Sequence, residues 1–316
     1  MKKIVRLSQE NPELARQEVL ELTLNNDYEQ IKDLLIIDDK LNIELYKRLG
    51  LSHATYKLLF TTNIQDINKK IKDFDWEKIY KDNFCVRLHG DSKKKEREFS
   101  TIIYNKISAP IVNLKNPVTK IEFFKREEKM VCGLLIKEID KSFLKRKAHM
   151  RPRLHPTSLH PGLARACINL TGLKKGKILD PFCGSAGLLI EAGIMGFDIT
   201  GYDLDYEQTV RAKINLNHYK IKKFEIIEKD ALEINEKTDA IVTDLPYGKG
   251  SKATNIEKLY INFLKKSYEY TDNMIIIFPD FVKHKNILKQ TEWKIKNNFV
   301  IYVHKSLSRI IYKLTK

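Results

Sequence analysis

From residue 178 onward the chain alternates short apolar runs with amphipathic stretches, and no other feature constrains its fold as tightly. Residues 178–179, 199–202, 224–227, 240–243 and 274–278 read as strands, whereas 188–195, 206–219 and 256–270 repeat apolar residues at helical spacing. A strand that is followed by a helix returns to its own sheet in parallel, so these units wind a parallel sheet with helices on both faces. The tail breaks the rule. Runs at 295–303 and 310–314 have no helix between them and are expected to pair as an antiparallel edge hairpin. A further helix starts at Pro161 and is ended by Gly172.

The turn after the first of these strands reads Asp180-Pro181-Phe182-Cys183-Gly184-Ser185-Ala186-Gly187. Glycines there let the backbone approach a ligand, and the helix that follows offers free amide donors. Asp203 ends the second strand about twenty residues on, where a carboxylate can take a ribose diol, and Asp230 ends the third. A glycine turn plus a ribose acid also suits NAD. The dinucleotide spacing G-x-G-x-x-G is absent, however, and a carboxylate at Asp180 opposes a pyrophosphate while tolerating a sulfonium and an amine. The cofactor expected is S-adenosylmethionine.

The fourth strand runs into Asp244-Leu245-Pro246-Tyr247-Gly248. Pro246 biases Leu245 towards an extended backbone, so the Leu245 carbonyl can project beside the Asp244 carboxylate while Tyr247 offers a flat ring. Such a corner suits an amino group on a planar base. It resembles the Asp/Asn-Pro-Pro-aromatic motif of methyltransferases that act on exocyclic base amines.

Upstream, residues 1–65 read as a small α+β unit with strands at 4–7, 31–37 and 56–60, a helix beginning at Pro12 and another at 43–49. A second α+β unit, 66–140, has strands at 84–88 and 111–114, a helix at 96–107, and a hairpin from 118–124 to 130–136. Its cations Arg87, Lys93, Lys94, Lys95 and Arg97 serve either as a solvated face or as phosphate contacts. Residues 141–160 form a basic linker; its first thirteen residues hold six Lys or Arg, among them Lys145, Arg146 and Arg151, and it serves either as a solvated connection or as a phosphate-binding bridge between two domains that hold one RNA. The whole chain carries a net charge of +16 with 42% hydrophobic residues, a globular protein whose positive field favours a polyanion. Its four cysteines are too scattered for a disulfide framework or a zinc site, and no apolar run reaches the roughly 18 residues of a membrane span. A soluble, cytoplasmic, metal-free monomer is expected.

The stretch FCVRL, a basic helix and VNLKNP resemble the THUMP domain of RNA-modifying enzymes, preceded by its ferredoxin-like partner. DPFCGSAG, LLIEAGIMG, GYDLD, AKINL, Asp230-Ala231, TDLPYG and the upstream RPRLHPTSLHPGLAR together resemble the archaeal tRNA guanine N2-methyltransferases that modify guanosine 10. The resemblance implies an α/β fold: a doubly wound, Rossmann-like methyltransferase domain over 161–316 with the edge hairpin, preceded by the ferredoxin-like and THUMP region. It implies that Asp180, Gly184 and Gly187 shape the cofactor loop, that Asp203 holds the ribose, and that Asp230 lies at the adenine. It also implies that Asp244, Leu245, Pro246 and Tyr247 form the base pocket and that tRNA is the partner. Pro181 and Ser185 belong to the same cofactor turn. Two positions depart from the family's pattern. Ala186 stands where glycine is frequent, which argues against a left-handed backbone there; Leu245 replaces the first proline, keeping the carbonyl but losing rigidity. Other readings of the corner are guanosine 6 of tRNA, an rRNA guanosine, a DNA adenine N6-methyltransferase, or an RNA-binding protein with an inactive methyltransferase fold.

Overall fold

The computed structural model describes residues 2–38, 44–154, 158–247, 253–305 and 307–316, with the side chains of 253–255 left aside. Gly248 and the His155–Thr157 part of the upstream motif therefore lie outside the described residues, as does the first residue of the helix expected at 43–49. The strands are β1 Lys2–Leu7, β2 Tyr28–Ile31, β3 Leu34–Asp38, β4 Ser52–Asn63, β5 Phe84–His89, β6 Thr119–Arg126, β7 Lys129–Glu138, β8 Lys177–Asp180, β9 Asp198–Asp203, β10 Phe224–Glu228, β11 Ala240–Asp244, β12 Asn273–Pro279, β13 Lys294–His304 and β14 Leu307–Thr315. Among the described residues no helix is long and apolar enough to cross a membrane.

The chain divides into two compact units that do not follow the four segments expected from composition. The first comprises residues 1–10, 25–47 and 52–139. Its strands form one sheet in the order β2-β3-β1-β4-β7-β6-β5, so no boundary falls near residue 65. The reason is the length of β4: one edge pairs with β1, and the other pairs with β7 from Ala54↔Glu138 to Asn63↔Lys129. Helices Ile67–Asp73 and Lys93–Tyr104 bury Ile71, Phe99 and Ile103 against Phe84, Phe123 and Trp76.

Three local expectations are corrected in this unit. The run 31–37 is a hairpin, β2 to β3, because Lys32 turns the chain at φ 53°. The segment 111–114 is not a strand: Val112 makes only an isolated bridge to Phe84, while Ile111 and Leu114 stay exposed. There the Asn113 side chain accepts from the amides of Lys115 and Asn116, a turn that competes with sheet pairing. The basic helix begins at Lys93 rather than Glu96, since the Ser92 hydroxyl caps it by accepting from the Lys95 amide.

The second unit holds residues 11–24, 48–51 and 140–316. Its sheet runs β10-β9-β8-β11-β12-β14-β13, parallel from β10 to β12. Strands β14 and β13 close it as the antiparallel hairpin. Strand order reverses between β8 and β11, which opens a crevice at their carboxyl ends. Helix Pro12–Thr23, far upstream in sequence, belongs to this unit and packs on helix Pro161–Leu170. Glu18, fully buried, fixes it by accepting from the amides of Gly50 and Leu51 and from the Asn169 side chain.

Candidate active site

At that crevice lies a cavity of about 460 Å³, the size of a cofactor pocket. Asp180, Pro181, Gly184, Ser185, Gly187, Asp203, Asp230, Asp244, Leu245, Pro246 and Tyr247 all line it. So do Ser158, from the upstream motif RPRLHPTSLHPGLAR, and Gln208 and Lys229, which carry no sequence signal of their own.

The wall from β8 is a turn held from below. Gly184 adopts φ +49°, with open space where a Cβ would stand, and its amide donates to the Asp203 carboxylate at 2.8 Å. The other Asp203 oxygen accepts from the Asp205 amide at 3.0 Å. Asp203 thus ties the ends of β8 and β9 together before it meets any ligand. Ala186 takes φ 67° and ψ 33°, so the expectation against a left-handed backbone there is wrong. Its amide bonds the Cys183 carbonyl and its own carbonyl begins helix Gly187–Ile194, so closure of the turn outweighs a cost of about 1 kcal/mol for a Cβ in that region. Buried Asn215 accepts from the Arg153 amide and donates to the carbonyls of Arg153 and Ser185, which explains the asparagine in AKINL.

Asp180 is buried at 2% exposure and accepts from the Thr243 hydroxyl at 2.7 Å and the Phe182 amide at 3.2 Å. Burial pushes its carboxyl up to about 7, with those hydrogen bonds opposing and Asp244 and Asp203 adding to the shift. Asp230 caps a short turn by accepting from the Leu232 amide. A cavity lined by five carboxylates, Asp180, Asp203, Asp205, Asp230 and Asp244, favours a cationic occupant over a pyrophosphate. These residues fit S-adenosylmethionine, with its sulfonium and amine.

The β11 corner is more constrained than its sequence suggests. The Leu245 amide donates to the Ile277 carbonyl, and the Leu245 side chain is buried in the core. The Tyr260 hydroxyl donates to the Pro246 carbonyl. On the other side Arg309, at 6% exposure on β14, places Nη2 3.2 Å from one Asp244 oxygen and donates from Nε to the Tyr247 hydroxyl at 2.7 Å. Tyr247 in turn donates to the other Asp244 oxygen at 3.3 Å. Burial raises the Asp244 carboxyl to about 6, and Arg309 and Tyr247 oppose that rise. Burial also raises the Tyr247 and Tyr260 phenols, which therefore remain protonated donors. The exposed Phe281 ring meets Tyr247 edge-on at 6.4 Å.

A family profile described as an RMKL-like methyltransferase domain matches residues 148–309. The chain is 34% identical to the tRNA (guanine(10)-N2)-dimethyltransferase of Pyrococcus abyssi over 95% of each chain. It is 32% identical to the enzyme of that name from Methanothermobacter thermautotrophicus over 98% of each. It belongs to the tRNA (guanine(10)-N2)-dimethyltransferase family. In fold, it is similar along its whole length to TrmN from Thermus thermophilus, with a TM-score of 0.55 at 18% identity. Family membership makes it an S-adenosylmethionine-dependent methyltransferase.

Not every expected RNA contact is placed where RNA could reach it. Arg146 is buried at 8% exposure, and its Nε and Nη2 donate to the two oxygens of fully buried Glu191 at 2.7 and 2.8 Å. Arg151 is buried at 5%, donates from Nε to the Arg146 carbonyl, and places Nη1 where a Cβ on Gly187 would be 3.1 Å away. Both are therefore corrected from phosphate contacts to internal groups, and the basic segment from a linker between domains to part of the second unit. Lys145 is exposed. In the first unit Arg87 is half-buried and donates to the Val86 and Leu114 carbonyls. Lys93, Lys94 and Arg97 are exposed along a shallow cleft beside Asn68 and Thr101, and Lys95 pairs with Glu98.

Proposed function

We propose that the protein methylates the exocyclic N2 amine of guanosine 10 in tRNA, with N2,N2-dimethylguanosine as the end product. The observation that carries this reading is the Asp244 carboxylate, engaged by Arg309 and Tyr247, in the wall of the same cavity as the Gly184 turn and Asp203. The relatives' shared name supports the substrate position and the number of methyl groups.

The N2 lone pair of guanine is delocalised into its ring, so the amine is a poor nucleophile. Asp244 and the Leu245 carbonyl accept its two N–H bonds and favour a tetrahedral nitrogen. S-adenosylmethionine supplies the electrophilic methyl group on a sulfonium. Positioning and the fixed negative charge provide most of the rate. A carboxyl near 6 also matches the acceptance of a proton at neutral pH. Because a base in a stem must leave its stack to be reached, Tyr247 offers the surface that receives it.

In this reading the first unit is a THUMP-like grip on tRNA. Lys93, Lys94 and Lys95 crowd the first turn of helix Lys93–Tyr104, the end whose dipole already carries positive charge. Such an arrangement opposes the helix and favours a phosphate partner, with Arg97 adding to the field; Lys145, in the second unit, is a further cation for the same polyanion. The enzyme acts as a soluble cytoplasmic monomer. Incubation with labelled S-adenosylmethionine and unmodified tRNA, followed by mapping of the modified nucleotide, tests the proposal. Label at guanosine 10 supports it; label at guanosine 6, in rRNA or in DNA adenine, or no transfer at all, refutes it.

A further inference from the structure

A doubly wound parallel sheet delivers side chains to its ligand crevice from strand ends, since all its strands point there. Strand β14 is antiparallel, pairing Arg309 with Pro279 of β12 and with Ile301 of β13. It is therefore the beginning of β14 that lies at the crevice. Pairing on both edges makes this a rigid platform, and from it Arg309 reaches the corner.

The geometry there is a closed triangle. Arg309 meets one Asp244 oxygen at 3.2 Å and the Tyr247 oxygen at 2.7 Å, and Tyr247 meets the second Asp244 oxygen at 3.3 Å. An ionised carboxylate has about four acceptor positions, so this arrangement leaves room for an incoming amine. Among the described residues the other titratable neighbours do not supply a counter-charge. Asp180 on β8 is a like charge, Tyr260 on helix Ala253–Tyr268 is a neutral phenol, and Cys167 on helix Pro161–Leu170 is a buried thiol that burial keeps protonated. A carboxylate in so dry a place, with no cation beside it, takes up a proton and ceases to be the acceptor that the reaction needs.

We propose that Arg309 is the positioning residue of this corner: it keeps the Asp244 carboxylate charged and holds Tyr247 and Asp244 as one unit. The inference rests on the methyl-transfer reading for its catalytic meaning, but the charge and the clamp are properties of the protein alone. Two readouts separate them.

The first uses no substrate. Full-length protein labelled with carbon-13 at aspartate carboxyls is titrated by NMR, with Asp244→Asn assigning the resonance. In Arg309→Met the Asp244 midpoint should rise by at least about one pH unit, equivalent to a tenfold change in the proton equilibrium. Arg309→Lys should return it towards wild type, because an ammonium keeps the charge but not the forked reach to Tyr247. An unmoved midpoint in folded Arg309→Met overturns the proposal.

The second readout is the single-turnover rate on tRNA against pH. The acid limb of Arg309→Met should shift upwards, so that its deficit at about pH 6.5 exceeds that at about pH 9 by tenfold or more. A merely structural role would lower the rate equally across that range, and a parallel profile overturns the proposal. Cofactor affinity by calorimetry, within about threefold of wild type, identifies folded variants. If wild type transfers no methyl group to tRNA while the NMR midpoint moves, the functional reading fails and the Arg309 assignment stands.

Discussion

Arg146 decides between two accounts of the basic segment. If it were a phosphate contact, Arg146→Met would weaken tRNA binding and leave the fold intact. Glu191 has no exposure, and Arg146 satisfies both of its oxygens, while Arg165 approaches only one of them at 3.4 Å. Removing one partner of a buried ion pair costs about 3 to 5 kcal/mol, because a charge is stranded away from water. Arg165 remains as a second cation, which places the expected loss near the lower end, about 3 kcal/mol. For a unit of this size each kcal/mol moves Tm by about 2 to 4 °C, so the melting temperature should fall by roughly 6 to 12 °C. Replacing Glu191 by Gln in the same protein removes the stranded charge and should recover most of that loss. Calorimetric melting of wild type, Arg146→Met and Arg146→Met/Glu191→Gln measures all three. A single variant melting within about 1 °C of wild type, with a tRNA salt dependence reduced by about one counterion, would refute the reasoning.

The remaining expectations follow from the same geometry. Asp203→Ala removes the acceptor that holds the Gly184 amide and, in the proposed reading, the ribose partner, so S-adenosylmethionine affinity by titration calorimetry should fall about 10- to 150-fold, a loss of about 1.5 to 3 kcal/mol; unchanged affinity removes Asp203 from the site. Asp244→Ala should nearly abolish single turnover while leaving cofactor affinity near wild type, and Asp244→Asn keeps partial activity only if hydrogen bonding outweighs proton transfer; near wild-type turnover in Asp244→Ala makes the corner a mere turn. For Asp180 the folded carboxyl lies above its ordinary value, so its contribution to stability is complete below about pH 4 and is lost as pH rises towards 7. A cationic cofactor favours the ionised form, and binding near pH 7 should release a proton, seen as a calorimetric heat that varies with buffer ionisation enthalpy; buffer-independent heat refutes this. A fragment beginning near Leu154 loses helix Pro12–Thr23, residues 48–51 and Arg146, all belonging to the second unit, so it should fail to melt cooperatively; a cooperative, cofactor-binding fragment would refute the unit boundaries drawn here.

The amino-acid sequence by itself determined what rests on local period in the second unit. Alternation from residue 178 specified the parallel sheet, the helix missing from the tail specified its antiparallel hairpin, and the glycine turn and the Asp244 corner fell at strand ends in a single cavity. Such features are legible because their cause lies within a few residues of each other. Only the tertiary structure decided what each charge and each edge meets. Arg146 looks like every other cation in its run until Glu191, 45 positions away, takes its guanidinium. Arg309 sits in an ordinary strand pattern, and its partner Tyr247 lies 62 positions upstream. Helix Pro12–Thr23 belongs to the second unit and not to the N-terminal segment that surrounds it in sequence, because Glu18 finds Asn169 across 151 positions. The free edge of β4 likewise joins two expected domains into one sheet by pairing with β7. Burial of a charge and pairing of an edge depend on what distant chain supplies, and no local pattern carries that information.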